Sequence, residues 1–240
     1  MEYLALGLAA FLGGVVCGFA GFAYSAVAGA ILLHVLEPLL AIPLMMSCSI
    51  LSQITSLAVL RRLVVWREIV PMMIGGAAGV PIAMYLLTLV EARAFRAAFG
   101  VFLVSYALYM LARPAAKAVA QACYPVVHSA VGFAGGFLGG LTAMPGAVPV
   151  IWCDLRGVPK ERQRALVQPF ILGMQVLALV TLVCIPGAIH RDLVMDVVLS
   201  LPPLAVGTCA GIMLFGRVDE ARFRQSVLLL LLVSGALMII

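Results

Sequence analysis

An apolar stretch from Gly132 to Trp152, with the sequence GFAGGFLGGLTAMPGAVPVIW, constrains the fold of this chain more than any other feature. It is as apolar as a membrane span, yet it contains six glycines and two prolines. Inside a helix each Gly costs about 1 kcal/mol and each Pro about 3 kcal/mol relative to Ala. In a bilayer, an interrupted backbone persists only where protein or a water-filled cavity covers it. The stretch therefore predicts a broken helix of the kind that lines transport sites.

A second stretch of the same kind runs from Gly18 to Leu33, with the sequence GFAGFAYSAVAGAILL. Glycines four residues apart also pack helices together in any membrane protein. Packing is our interpretation of Gly75, Gly79, Gly207 and Gly211. For the two broken stretches, packing and a binding site both stay open, because their breaks are concentrated and duplicated.

The composition identifies a polytopic membrane protein. Of 240 residues, 65% are hydrophobic and 10% are charged, and the mean hydropathy is +1.19. Soluble domains do not have such values. The net charge of +5 comes from basic residues scattered between apolar segments, so no nucleic-acid partner is expected. The six cysteines have neither metal-ligand nor redox spacing, which predicts no disulfide framework and no metal.

Eight apolar segments are long enough to span a bilayer. They cover residues 4–33, 39–60, 69–89, 95–112, 124–153, 165–186, 193–215 and 221–240. The first and fifth exceed the length of one span, as expected for broken helices. A linker, 113–123, divides the chain into a first half, 1–112, and a second half, 124–240.

The two halves are predicted to be repeats of four helices each. Aligned pairs are Gly18 with Gly136 and Gly21 with Gly139 (118 residues apart), Gln53 with Gln175 (122 apart), and Gly79 with Gly207 (128 apart). Because four is even, the repeats should face the same way across the membrane. The fold prediction is thus an all-α polytopic membrane protein of about eight transmembrane helices, arranged as two parallel four-helix repeats with helices 1 and 5 broken by Gly and Pro.

Lys and Arg beside the spans predict the orientation, because they are enriched in cytoplasmic loops. If eight spans are counted, six Lys and Arg residues lie after spans 2, 4 and 6. Nine lie after spans 1, 3, 5 and 7. This distribution favours both termini outside.

No residue pattern indicates an enzyme. The sequence has no HExxH, GxSxG or GxxxxGK[ST] motif, and no cofactor is predicted. The acidic residues fall in connectors or in the first or last turns of spans, whereas cation transporters usually place a carboxylate at mid-membrane. The substrate is therefore expected to be an anion or a neutral solute.

An anion can be bound by the free N–H groups and the positive dipole of an interrupted helix. Backbone N–H groups near Gly18–Gly21 and Gly139–Gly146 are expected to receive its oxygens. The full set of predicted substrate-binding residues is Gly18, Gly21, Tyr24, Ser25, Ser49, Ser52, Gln53, Gly139, Thr142, Pro145, Gly146, Arg164, Gln168 and Gln175. The glutamines could instead bond neighbouring helices, and Arg164 could be an interfacial anchor or an anion gate.

Seven segments in this order resemble the sulfite exporter TauE/SafE family. They are GFAGFAYSAVAGAILL, SQITSLAVLRRLVVWREIVPM, GAAGVPIAMYLL, ARAFRAAFGVFLVSYALYML, GGFLGGLTAMPGAVPVIW, VPKERQRALVQPF and FGRVDEARFRQSVLLLLLVSG. The resemblance implies a multi-pass transporter of the bacterial inner membrane with a duplicated four-span unit. It also implies a small sulfur-containing anion, such as sulfite or an organosulfonate. Phe22 and Ala23 stand where the family often has further glycines.

The function expected from these observations is secondary transport of a small anion by alternating access. The site would lie between broken helices 1 and 5 and helices 2 and 6. A proton or ion gradient could drive transport, with His34 and Glu37 the nearest proton carriers to mid-membrane. An anion channel of the same fold and a non-transporting scaffold subunit are the alternatives. The residues leave the transport direction and the oligomeric state open.

Overall fold

The computed structural model describes residues 2–60, 64–89, 91–112, 125–184 and 193–215, and single residues between 217 and 236. Throughout these parts the regular structure is helical, which confirms the all-α prediction. The predicted linker 113–123 and most of the predicted last span, 221–240, lie outside the described residues. The helices are α1 (Glu2–Ala20), α2 (Tyr24–Leu32), α3 (Pro38–Leu60), α4 (Trp66–Leu87), α5 (Ala92–Ala112), α6 (Pro125–Thr142), α7 (Ala147–Leu155), α8 (Lys160–Val183) and α9 (Leu193–Phe215).

Five of these helices, α1, α3, α4, α8 and α9, are long and apolar enough to cross a membrane. Large apolar side chains such as Ile74, Ile82 and Tyr85 on α4 are exposed on the outer surface. An exposed apolar surface of this kind matches the hydrocarbon of a bilayer. The chain is therefore a multi-pass membrane protein, as its composition predicted.

Both predicted breaks are present. The first segment is divided between α1 and α2 at residues 21–23, and the fifth is divided between α6 and α7 at residues 143–146. Each break contains one residue with positive φ, Gly21 at 84° and Ala143 at 55°. Glycine adopts this conformation without strain, whereas an L-residue such as Ala pays about 1–2 kcal/mol for it.

At each break the chain turns back instead of continuing across the membrane. The Tyr24 ring lies 2.8 Å from where a Cβ at Gly13 would stand, whereas a continuous helix would separate these residues by about 16 Å. In the second break, the ring centroids of His128 and Trp152 are 6.3 Å apart, against about 36 Å in a continuous helix. The pairs α1–α2 and α6–α7 are thus helical hairpins.

The two hairpins start at opposite ends of the molecule. At one end, here called the Tyr3 end, the start of α1, the end of α2 and the starts of α3 and α9 line one cavity. At the other, the Glu68 end, the starts of α4, α6 and α8 meet, because Glu68 contacts both His128 and Arg162. Near the start of α8, Arg164 reaches the carbonyl of Gly18 near the end of α1. Helix α1 therefore runs from the Tyr3 end toward the Glu68 end, and α6 begins at the Glu68 end.

The prediction that both halves face the same way is therefore wrong, and segments 4–33 and 124–153 form hairpins instead of single broken spans. Helices α2 and α7 have nine residues each, about 14 Å, and they return toward the side from which the hairpin entered. Without the hairpin, the first half has three long helices, α3, α4 and α5. Three is odd, so the two halves have inverted orientations, as in many transporters.

Glycines bring helices of the two halves into close contact. The most extensive contacts join α1 to α9 and α4 to α6. A Cβ at Gly207 would collide with the carbonyl oxygen of Phe11, and a Cβ at Gly79 would collide with that of Phe133. Gly75 and Gly211 lie equally close to the backbone of the facing helix. The packing interpretation of these four glycines is confirmed.

Candidate functional site

The first break is held by a glutamine from α3. The Nε2 atom of Gln53 donates to the carbonyl oxygen of Gly21 at 2.9 Å, and Gln53 is fully buried. The N–H group of Gly21 donates to the carbonyl of Cys17 at 2.7 Å, as in a continuing helix. The end of α1 therefore presents carbonyl oxygens, which an amide donor satisfies.

The second break repeats this arrangement. Nε2 of Gln175 donates to the carbonyl oxygen of Ala143 at 3.1 Å, and the hydroxyl of Ser25 donates to the same oxygen at 2.6 Å. In both breaks the glutamine follows its acceptor by 32 residues. Gly21 and Ala143 are 122 residues apart (143 − 21), as are Gln53 and Gln175 (175 − 53). Equivalent residues at the two breaks are thus 122 positions apart in the sequence, whereas the aligned glycine pairs predicted a separation of 118.

Arg164 and Gln168 bring α8 to the first break. Arg164 is 7% exposed, and its Nη2 donates to the carbonyl of Gly18 at 3.1 Å. Its guanidinium lies 4.2 Å from the ring centroid of Phe215, a cation–π contact. A Cβ at Gly21 would stand 2.7 Å from Nε2 of Gln168 and 3.0 Å from Nε of Arg164. A Cβ at this position would force at least the Gln168 side chain to shift.

Several buried polar atoms around the breaks have no hydrogen-bond partner. They are Nε of Arg164, both Nε2 and Oε1 of Gln168, and the Oε1 atoms of Gln53 and Gln175. Such an atom costs about 1–3 kcal/mol when it is left unsatisfied, so clusters of them mark ligand or water sites. A cavity of about 20 Å³ lies beside Gly21, Arg164 and Gln168. It holds about one water molecule, and the site is closed around it.

The structure thus brings five predicted residues together at the first break: Gly18, Gly21, Gln53, Arg164 and Gln168. Ser25 and Gln175 meet at the second break, where Pro145 also packs inside the hairpin against Gly139. Phe22 joins the two breaks, because its Cβ lies 3.1 Å from where a Cβ at Gly146 would stand.

The structure also shows the surroundings of four other predicted residues, whose role in binding stays a prediction. The Ser52 hydroxyl lies 3.0 Å from that of Thr208 on α9, and Thr142 donates to the carbonyl of Leu138 within α6. Tyr24 packs against Gly13. Ser49 is buried on α3.

The role of backbone N–H groups near Gly18–Gly21 and Gly139–Gly146 stays a prediction, and the structure limits which of these groups are free to bind. Gly18 and Gly139 lie inside α1 and α6, and the N–H of Gly21 is already bonded. The N–H groups at a break belong to the starts of α2 and α7, neither of which has a side-chain N-cap hydrogen bond.

Sequence reasoning missed Ala143, whose carbonyl accepts two side-chain hydrogen bonds. Nothing in its residue type marks it, since Ala is an unusual residue at positive φ. The separation of 122 residues between Gln53 and Gln175, applied to Gly21, would have identified it.

The two breaks differ in charge. At the separation of 122 residues, Arg164 corresponds to Ile42 and Gln168 corresponds to Met46 on α3. Ile42 and Met46 are fully buried and apolar. The guanidinium therefore serves the first break alone.

Comparison with known proteins identifies the family of this chain. No curated protein and no solved structure shows significant similarity to the chain. The family model described as "Sulfite exporter TauE/SafE" matches residues 6–238. This match covers nearly the whole chain, including both hairpins, Gln53 and Arg164. The chain belongs to the sulfite exporter TauE/SafE family of membrane transporters.

Proposed function

We propose that this protein is a secondary transporter of a small sulfur oxyanion, and that the anion binds at the first break among α1, α2, α3 and α8. The observation that carries the proposal is the buried pair of Arg164 and Gln168 beside the positive-φ residue Gly21. Three of their polar atoms have no hydrogen-bond partner. An oxyanion supplies acceptors for N–H donors of this kind.

The charge of Arg164 favours an anion over a neutral solute. Arg164 bonds a backbone carbonyl and contacts the Phe215 ring, but it forms no ion pair with a carboxylate among the described residues. A buried cation without a counterion is unfavourable by several kcal/mol. A bound anion removes that penalty, and the uncapped start of α2 adds the positive end of a helix dipole.

The difference between the two ends of the molecule supports alternating access. At the Glu68 end, Arg162 and Glu68 form an ion pair of 2.8 Å that joins α8 to α4. The corresponding residues of the other half are Leu40 (162 − 122) and Asp196 (68 + 128). Both line the cavity of about 290 Å³ at the Tyr3 end. Equivalent positions are thus joined by an ion pair at one end and border an open cavity at the other. In transporters with inverted repeats, the two halves exchange these open and closed conformations during transport.

In the proposed orientation the Glu68 end faces the cytoplasm, and both termini are outside. When the hairpins are counted as returning, seven of the nine Lys and Arg residues that the structure describes adjoin the Glu68 end. The other two, Arg93 and Arg96, adjoin the Tyr3 end. Basic residues are enriched on the cytoplasmic side, so this distribution supports the orientation. The membrane we propose is the bacterial inner membrane, as the family resemblance implies.

Sulfite uptake into liposomes containing the purified protein tests the transport proposal. Arg164→Gln removes the buried charge, and Arg217→Gln removes an exposed charge near the same end as a matched control. We expect Arg164→Gln to reduce initial uptake at least about tenfold, since one charge-assisted hydrogen bond contributes about 1.5–3 kcal/mol. Arg217→Gln should match the wild type. Equal uptake by the two variants would remove Arg164 from the site, and flux that does not saturate would indicate a channel.

A further inference from the structure

We infer that the site at the first break takes a singly charged oxyanion that carries its own hydrogen-bond donor, hydrogen sulfite rather than the sulfite dianion. This inference rests on the proposed function, because it concerns the same site. It adds the charge and protonation state of the substrate.

One buried cation sets the charge that the site accepts. Among the described residues, Arg164 is the only Lys, Arg, Asp or Glu that is buried. Its counterpart at the second break, Ile42, is apolar. A monoanion is neutralised by one guanidinium, whereas a dianion keeps one charge unpaired in a buried environment. The site therefore discriminates against doubly charged anions.

A glutamine whose orientation is fixed provides the acceptor. The carbonyl oxygen of Gly21 can only accept a hydrogen bond, so the Gln53 amide must face it with the donor Nε2. The acceptor Oε1 of Gln53 is therefore the atom that faces away from this bond. Oε1 is buried and has no partner. Gln53 donates to the carbonyl of Gly21, just after α1, and Arg164 donates to the carbonyl of Gly18, near the end of α1. Gln168 borders the cavity beside Arg164 and also has an unsatisfied Oε1, so a ligand in that cavity meets N–H donors and an unsatisfied amide acceptor. The Oε1 atom of Gln53 belongs to the amide that bonds Gly21, another residue of the cavity wall.

Hydrogen sulfite has both properties, a single charge and a proton to donate. Methanesulfonate has one charge but no donor, and it would leave Oε1 of Gln53 unsatisfied. Sulfate and thiosulfate carry two charges. Taurine adds an ammonium group, which would need a carboxylate near Arg164, and no carboxylate pairs with Arg164 in the part of the chain that the structure describes.

The test is the binding affinity of the purified full-length protein for sulfite as a function of pH. Above the pKa of hydrogen sulfite, its fraction falls about tenfold per pH unit. We expect the apparent Kd for total sulfite to rise by the same factor, and sulfate to compete at least about tenfold more weakly than sulfite at the lowest pH. A Kd that is independent of pH, or equal competition by sulfate, would overturn the inference while leaving anion transport intact. Absence of sulfite binding at every pH would overturn the proposed function as well.

Titration of the protein itself needs a separate control. The titratable groups on the elements around Arg164 are Cys17 on α1, Tyr24 on α2, Cys48 on α3 and Glu161 on α8, while α9 contributes the Phe215 ring. Weak competition by methanesulfonate, whose charge does not change over this range, should be constant with pH. A parallel loss of methanesulfonate binding would assign the pH dependence to the protein and contradict the inference. Arg164→Lys keeps the charge and should keep the pH dependence, whereas Arg164→Gln should bind sulfite at least about tenfold more weakly at every pH.

Discussion

The amide of Gln53 donates to the carbonyl oxygen of Gly21 at 2.9 Å, across 32 residues of sequence, and thereby closes the turn of the first hairpin. Gln175 and Ala143 form the same bond, also across 32 residues, in the second hairpin. A sharp reversal leaves backbone carbonyls without helical partners, and in a membrane no water replaces them. The paired glutamines are therefore structural residues first, and each also offers one free oxygen to the interior.

We predict that Gln53→Ala destabilises the protein more than Gln175→Ala does. Loss of Gln53 leaves the Gly21 carbonyl unsatisfied, at a cost of about 1–3 kcal/mol. Loss of Gln175 leaves the Ala143 carbonyl with its second donor, Ser25. Thermal unfolding of the purified variants measures the difference. The double variant Ser25→Ala with Gln175→Ala should lose about as much stability as Gln53→Ala, because both donors to Ala143 are then absent. Equal destabilisation by the two single variants would show that the carbonyls are not satisfied as described.

Gly21→Ala should impair both stability and transport. The new Cβ would sit at a φ of 84°, with a strain of about 1–2 kcal/mol, and 2.7 Å from Nε2 of Gln168. Gly7→Ala is the matched control, because nothing lies within 4 Å of its Cβ position in α1. The control should be as stable as the wild type or slightly more stable, since Ala favours helix. Wild-type transport by Gly21→Ala would show that this turn does not contact the transported anion.

Breaking the Glu68–Arg162 ion pair should open the Glu68 end. Cys153 is buried on α7, near that end, and can report the opening when it is the single cysteine of the protein. We expect Glu68→Gln to increase the rate of Cys153 modification by a membrane-impermeant thiol reagent several-fold. The charge-swapped protein, Glu68→Arg with Arg162→Glu, should return toward the slow rate. Unchanged rates in Glu68→Gln would mean that this ion pair does not hold the end closed.

The orientation predicts which introduced cysteines can be labelled on intact cells. Val35→Cys is at the Tyr3 end and Asp219→Cys is beyond the end of α9, and both positions are exposed. In a background without native cysteines, an impermeant reagent should label Val35→Cys on intact cells and Asp219→Cys only after permeabilisation. The reverse result would invert the assignment of the cytoplasmic side.

The sequence by itself determined the features that are local in the chain. Hydropathy and composition identified a multi-pass membrane protein, because a bilayer selects residues by transfer free energy. Glycine and proline located both breaks, since their backbone preferences act within a few residues. Matching polar residues in the two halves also singled out Gln53 and Gln175, and the position of Arg164 at the start of a predicted span made it a candidate.

The tertiary structure alone decided the direction of the chain after each break. A broken helix that continues across the membrane and a hairpin that returns have the same hydropathy, so the sequence could not separate eight spans from two hairpins and fewer crossings. Contacts such as Tyr24 with Gly13 and His128 with Trp152 settle the matter, because only a reversed chain brings those residues together. The reversal also places the starts of the two hairpins at opposite ends of the molecule, α1 at the Tyr3 end and α6 at the Glu68 end. Three-dimensional packing also placed Arg164 and Gln168 against the turn at Gly21, a contact between residues far apart in the chain that no local pattern encodes.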